Sequence, residues 1–222
     1  MRLTEFPHRR VTLFAGHYGS GKTNLAVNYA LALRESGESV TVADMDIVNP
    51  YFRTKDSAEV LDAAGIRLIS PAFANSNVDL PALPAALYLP IVERDTLAVL
   101  DIGGDDRGAY ALGRYAPDIL AEGDFEMIFV VNFCRPLTKT AEDALGVMRE
   151  IETAGGIPFT AIVNNSNLGA ETTPETVRAT RERAEVLSHL SGLPLLFTSA
   201  EARIADAVPE PLFALTLQKK YF

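Results

Sequence analysis

Three glycines, a lysine and a threonine crowd into the turn of VTLFAGHYGSGKTNLAVNYA, residues 11–30, between an apolar run and a helical pattern. Gly16, four further residues, then Gly21-Lys22-Thr23 is the G-x-x-x-x-G-K-[ST] spacing of a phosphate-binding loop. Glycine at 16, 19 and 21 lets the backbone approach a ligand where a Cβ would block it, and successive N–H groups then turn inward around a polyphosphate. The helix that starts near Lys22 adds its free N-terminal amides to the same anion. Lys22 is expected to reach the β- and γ-phosphates and the Thr23 hydroxyl to hold Mg²⁺, with His17, Tyr18, Ser20 and Asn24 completing the nucleotide contacts. At ordinary composition the pattern arises by chance in a chain of this length about once in a hundred.

A magnesium nucleotide calls for carboxylates at neighbouring strand ends. VADMDIVNPYFR supplies Asp44 and Asp46, and LAVLDIGGDDRG supplies Asp101, Asp105 and Asp106. Asp101, after four apolar residues, is the Walker-B type candidate for Mg²⁺. Of Asp44 and Asp46 one is expected to face the phosphates, and Asp46, nearer the loop, is the expected one, for metal and water alike. Asp105 is a catalytic candidate, and Asp105 or Asp106 also suits the cap of a helix starting near Gly108.

These residues must be held by a frame, and the chain alternates apolar runs with helical patterns from end to end. Strands are expected near 11–15, 39–44, 66–70, 96–101, 125–132, 158–164 and 194–198, and helices near 22–36, 55–64, 82–93, 108–121, 138–154 and 174–191. Runs such as LAVLD and MIFVV are continuously apolar, which implies a sheet covered on both faces: an α/β, doubly wound, mainly parallel sheet in a single domain over 1–222. In such sheets ligands bind beyond the carboxyl ends of the strands. Residues 70–84 read as a connection.

Of 222 residues, 48% are hydrophobic and 22% charged, which suits a domain with a large core. The net charge of −9 argues against duplex nucleic acid as a partner. One cysteine, Cys134, leaves no intramolecular disulfide and no multi-cysteine metal site. With no apolar stretch near 20 residues and a polar N-terminus, a cytoplasmic location is expected. The tail PLFALTLQKKYF, 211–222, is weakly amphipathic; docking on the core is expected before membrane contact.

The motifs together resemble the MinD/ParA/Mrp and nitrogenase iron protein group of P-loop ATPases over nearly the whole length: the loop at 16–23, DMDIVNP, DIGGD and AIVNNSN. The resemblance implies an ATP- and Mg²⁺-dependent ATPase that acts as a switch on a protein partner. By it, Asp101 serves magnesium, Asp105 links the γ-phosphate to a switch segment, and Asp46 orients the attacking water. Asn165, with Asn164 second, matches the asparagine that reads adenine, and no N-K-x-D guanine motif stands there. Most of the group carries a second lysine early in the loop that crosses a homodimer; here His17 holds that place, so a homodimer in the usual form is not implied. Lone Cys134 does not supply the cysteine pair for a bridging iron–sulfur cluster. The competing reading is a small-molecule ligase or kinase resembling dethiobiotin synthetase, with Arg53 and residues 71–84 beside an acceptor.

Overall fold

The computed structural model describes residues 8–46, 57–70, 85–104, 106–209 and 211–217. Eight strands form one sheet: β1 (Val11–Ala15), β2 (Val40–Met45), β3 (Arg67–Ile69), β4 (Leu97–Ile102), β5 (Phe125–Val131), β6 (Ala161–Asn164), β7 (Leu195–Glu201) and β8 (Leu212–Leu215). Their order is β3-β2-β4-β1-β5-β6-β7-β8, and each neighbouring pair is parallel. Parallel pairing requires crossovers, and these are the helices α1 (Lys22–Glu35), α2 (Ala58–Ala63), α3 (Leu89–Val92), α4 (Asp106–Gly113), α5 (Ala116–Glu122), α6 (Ala141–Gly155) and α7 (Pro174–Ser191).

Continuous burial of β1 and β2 follows from cover on both faces. On one face Leu87, Leu112, Tyr115, Ile119, Met148 and Leu187 bring α3 to α7 and the turn before α3 onto the sheet. On the other, Leu25, Tyr29 and Leu33 of α1 and Leu61 of α2 pack against Phe14, Val42 and Val130. The chemistry is set by register: Asp44 at the end of β2 lies beside Asp101 of β4, and Asp101 lies beside Phe14 of β1, two residues before the glycine loop.

Two expectations change, and the tail, expected to dock on the core, does so at 212–215 as an added strand. The helix expected over 108–121 is two, because Pro117 has no amide to donate to Gly113; α4 ends at Gly113 and α5 restarts with proline in its first turn. The helix expected over 82–93 is a 3₁₀ turn, Ala85–Tyr88, and one α turn. Residues 212–215 are an eighth strand docked on β7, with Phe213 and Leu215 in the core, so this part of the tail has no lipid-facing helix. Among the described residues no helix is long and apolar enough to cross a membrane.

Thr140 caps α6 by a reciprocal box: Asp143 N–H donates to Thr140 Oγ1 at 3.1 Å, and Thr140 N–H to Asp143 Oδ2 at 3.3 Å. Thr140→Ala is expected to cost about 1 kcal/mol, read as a lower midpoint in denaturant with an unchanged slope.

Candidate nucleotide-binding site

The glycine loop runs from β1 into α1, and the helix receives no side-chain cap and no acidic residue in its first turn. A helix start with neither a side-chain cap nor a first-turn carboxylate is the kind that receives anions. Gly21 turns the chain into α1 with φ +85°, and a Cβ there would stand 2.3 Å from Asn165 Nδ2. Both the backbone conformation and the close approach require glycine.

Side chains from the ends of β5 and β6 hold the loop from behind. The Asn165 amide donates to the Ser20 carbonyl at 2.7 Å, while its oxygen accepts from the Ser199 hydroxyl at 2.7 Å. Asn132 Nδ2 donates to the Gly19 carbonyl at 3.4 Å, and exposed Arg135 donates through Nε to the same oxygen at 3.0 Å. A peptide plane carries its C=O and the next N–H in opposite directions. Drawing the Ser20 carbonyl outward thus points the Gly21 N–H into the cradle.

At the start of α1 Lys22 Nζ lies 3.6 Å from Asp46 Oδ2, with the two residues only 3% and 2% exposed. Asp46 N–H donates to Asp44 Oδ1 at 3.0 Å, and Asp44 and Asp101 are equally buried. Of the two β2 aspartates it is Asp46 whose carboxylate meets the loop lysine. Gly104 lies against Lys22: a Cβ there would be 2.8 Å from the Gly16 carbonyl, 2.9 Å from Lys22 Nζ and 2.9 Å from the Tyr18 amide nitrogen. The backbone after Asp101 therefore stands against two donors that a phosphate would use. Thr23 is buried at the start of α1. Asp105, Arg53 and the segments 47–56 and 71–84 lie outside the described residues.

At the loop tip His17 Nδ1 sits 3.0 Å from the Tyr18 carbonyl and Tyr18 is exposed. On the far side of Gly21 a cleft opens between the ends of β6, β7 and β8, lined by Asn24, Asn165, Asn167, Ser199, Glu201 and Leu217 among others. Asn164 stands apart from it: fully buried, it donates to Thr180 Oγ1 at 3.1 Å and accepts from the Ser166 hydroxyl at 2.6 Å. Arg203 fixes the cleft rim by donating to Glu201 at 2.6 Å and to the carbonyls of Ala170 and Thr172 at 2.9 and 2.8 Å.

Sequence reasoning passed over Asn132, Ser199 and Arg135. Asn132 carried a usable signal, a polar residue at the tip of the apolar run MIFVV, the same pattern that singles out Asp101. Ser199 carried none, since its partner Asn165 is 34 residues away. Cys134 is half-buried, and burial pushes its thiol up against the opposing pull of Arg183 and Arg135, so thiolate chemistry is not favoured there. Among the described residues no cluster of three or more His, Cys, Asp or Glu side chains is arranged to cage a metal.

No protein-family model matches the chain, and neither does any curated protein sequence. Solved structures do. The signal recognition particle 54 kDa protein of Aeropyrum pernix, determined in complex with GDP, superposes with TM-score 0.56 at 15% identity over 85% of this chain and 40% of its own. Cell division protein FtsY of Thermotoga maritima gives 0.59 at 16%, over 87% and 62%. FtsY of Mycoplasma mycoides gives 0.57 at 16%, over 88% and 62%. The chain thus spans about half of the length of these proteins, and the likeness does not single out the MinD/ParA group that the motifs resemble. What it establishes, with the sheet order and the loop between β1 and α1, is architecture: this chain has the P-loop NTPase fold.

Proposed function

We propose that the chain binds ATP as its magnesium complex, hydrolyses it slowly, and uses the change in bound nucleotide to control a protein partner. The observation that carries this reading is the packing of Gly104 against Lys22 and the Tyr18 amide beside the Lys22–Asp46 pair. A γ-phosphate drawing on those donors displaces Gly104 and frees Lys22 from Asp46. The segment that follows leads into α4, so phosphate occupancy becomes a movement at the surface. Exposed Tyr110 on α4 offers that surface an apolar contact.

In the reaction Lys22 and the inward loop amides neutralise phosphate charge, most strongly as it develops in the transition state. Asp46, released from Lys22, accepts a hydrogen bond from the attacking water and aligns it. Thr23 and Asp101 offer hydroxyl and carboxylate oxygens alone, which fits Mg²⁺, a hard cation that takes few protein ligands and keeps its waters. When bound, that ion would neutralise phosphate charge. Asp105 is proposed, by the family resemblance, as the link between γ-phosphate and switch. His17 in place of a second lysine leaves the partner unidentified, a second copy being one candidate.

The choice of ATP rests on AIVNNSN and its resemblance to the MinD/ParA group. Asn165 lines the cleft next to Gly21 and spends one N–H on Ser20 and one lone pair on Ser199. One donor and one acceptor remain, the pair that an adenine edge needs. Asn164, committed to Thr180 and Ser166, is the lesser candidate. ATP is expected to bind several-fold more tightly than GTP in competition, and Asn165→Ala to erase most of that preference. A wild-type preference for GTP overturns the base assignment.

A further inference from the structure

The cleft beside Gly21 is lined unevenly. Asn165, Asn167 and Ser199 give it a polar wall, and Leu215 and Leu217 an apolar one. These leucines belong to β8 and the residues just after it, in a chain that reaches the site by adding a last parallel strand to the sheet edge. Leu215 is buried in the core, while Leu217, two residues on, lines the cleft and is 45% exposed.

The position of this wall is set by the phosphate-binding helix itself. Asn28, two turns into α1, accepts from the Thr216 N–H at 2.8 Å and donates to the Thr216 carbonyl at 2.9 Å. The same amide donates to the Asn24 carbonyl at 2.8 Å, and Asn24 also lines the cleft. One asparagine side chain thus takes the place of a neighbouring strand for Thr216, the residue between the two leucines. Because α1 starts at the glycine loop, the distance from phosphate cradle to leucine wall is fixed by a single rigid element.

We propose that Leu217, held in place by Asn28, is the apolar platform on which the purine ring of the bound nucleotide lies, with its edge toward the polar wall. The proposal rests on the nucleotide reading above. A flat heteroaromatic ring covers the exposed leucine on one face and leaves its ring nitrogens to the asparagines, which is how a pocket with one apolar and one polar wall divides its work. Leu217 therefore contributes to holding the base and not to holding the phosphates. Asn28 is a positioning residue that acts through it.

The test compares ATP with inorganic tripolyphosphate, which has the phosphates and no base, by calorimetry on the full chain. Leu217→Ser is expected to weaken ATP binding about fivefold, the scale of uncovering part of one leucine, and to leave tripolyphosphate binding unchanged. Leu217→Met, which restores an apolar surface, is expected to recover most of the ATP affinity. Asn28→Ala is expected to show the same split between the two ligands. Equal ATP affinity in wild type and Leu217→Ser overturns the proposal, as does a parallel loss of ATP and tripolyphosphate, which marks general damage to the site. If the wild-type chain binds neither ligand, the nucleotide reading itself falls, and the proposal with it.

Discussion

Lys22→Ala is expected to weaken ATP binding by at least tenfold. Tenfold corresponds to about 1.4 kcal/mol, at the low end of what a charge-assisted hydrogen bond to phosphate is worth. The effect is direct because Lys22 is not a mobile surface cation. It is 3% exposed, its ammonium lies 3.6 Å from Asp46, and Gly104 packs on it, so the group is already held at the start of α1 before any ligand arrives. Preorganisation of this kind removes the entropic cost of recruiting a long side chain. The substitution also leaves Asp46 buried without its cation, so the unliganded protein is expected to lose stability. Calorimetry below the unfolding transition separates the two effects, and unchanged ATP affinity in the folded variant removes the central claim about this loop.

The loop itself was legible because its chemistry is local: the glycines, lysine and threonine that make the cradle are consecutive, and the apolar run before them reads as a strand. Choosing Asp46 over Asp44 rested on its place nearer the loop in the sequence, and in the fold its carboxylate pairs with Lys22 at 3.6 Å. The parallel sheet was legible from continuous apolar runs, which occur where helices cover both faces.

What escaped was non-local or carried by a single residue. The break between α4 and α5 turned on Pro117, which a periodicity reading smoothed over. The strand β8 is four residues long, and its polar flanks and short apolar run give no length by which to tell it from a helical turn. Its place at the sheet edge depends on pairing with β7 and on Asn28, 188 residues from Thr216. The clasp behind the glycine loop likewise joins Asn132, Asn165 and Ser199 from three strand ends. No spacing rule links those positions, because the parallel order of the sheet brings them together only after the crossovers are made.

Asp46→Asn is expected to leave ATP affinity nearly unchanged and to lower the hydrolysis rate by at least tenfold. The amide keeps the carboxylate's shape and part of its hydrogen bonding but loses the charge that aligns and polarises water. In the unliganded protein that charge is spent on Lys22 at 3.6 Å. Neutralising it releases Lys22 toward phosphate, so the ground-state complex is not penalised and the loss falls on the transition state. A residue that merely propped Lys22 in place would behave in the opposite way, with affinity falling and the rate of the bound complex preserved. Phosphate release under single-turnover conditions, with magnesium present and no acceptor added, measures the difference. Equal rates in both proteins show that Asp46 does not position the water. Absence of hydrolysis in the wild type favours a chain that works only with its partner or with an acceptor, as in the ligase or kinase reading, and adding candidate acceptors then separates those two. A tenfold fall with unchanged affinity places Asp46 in the hydrolytic step, and it explains why a carboxylate is kept next to the loop lysine at all, since for binding alone a neutral residue there would leave Lys22 freer to meet the phosphate.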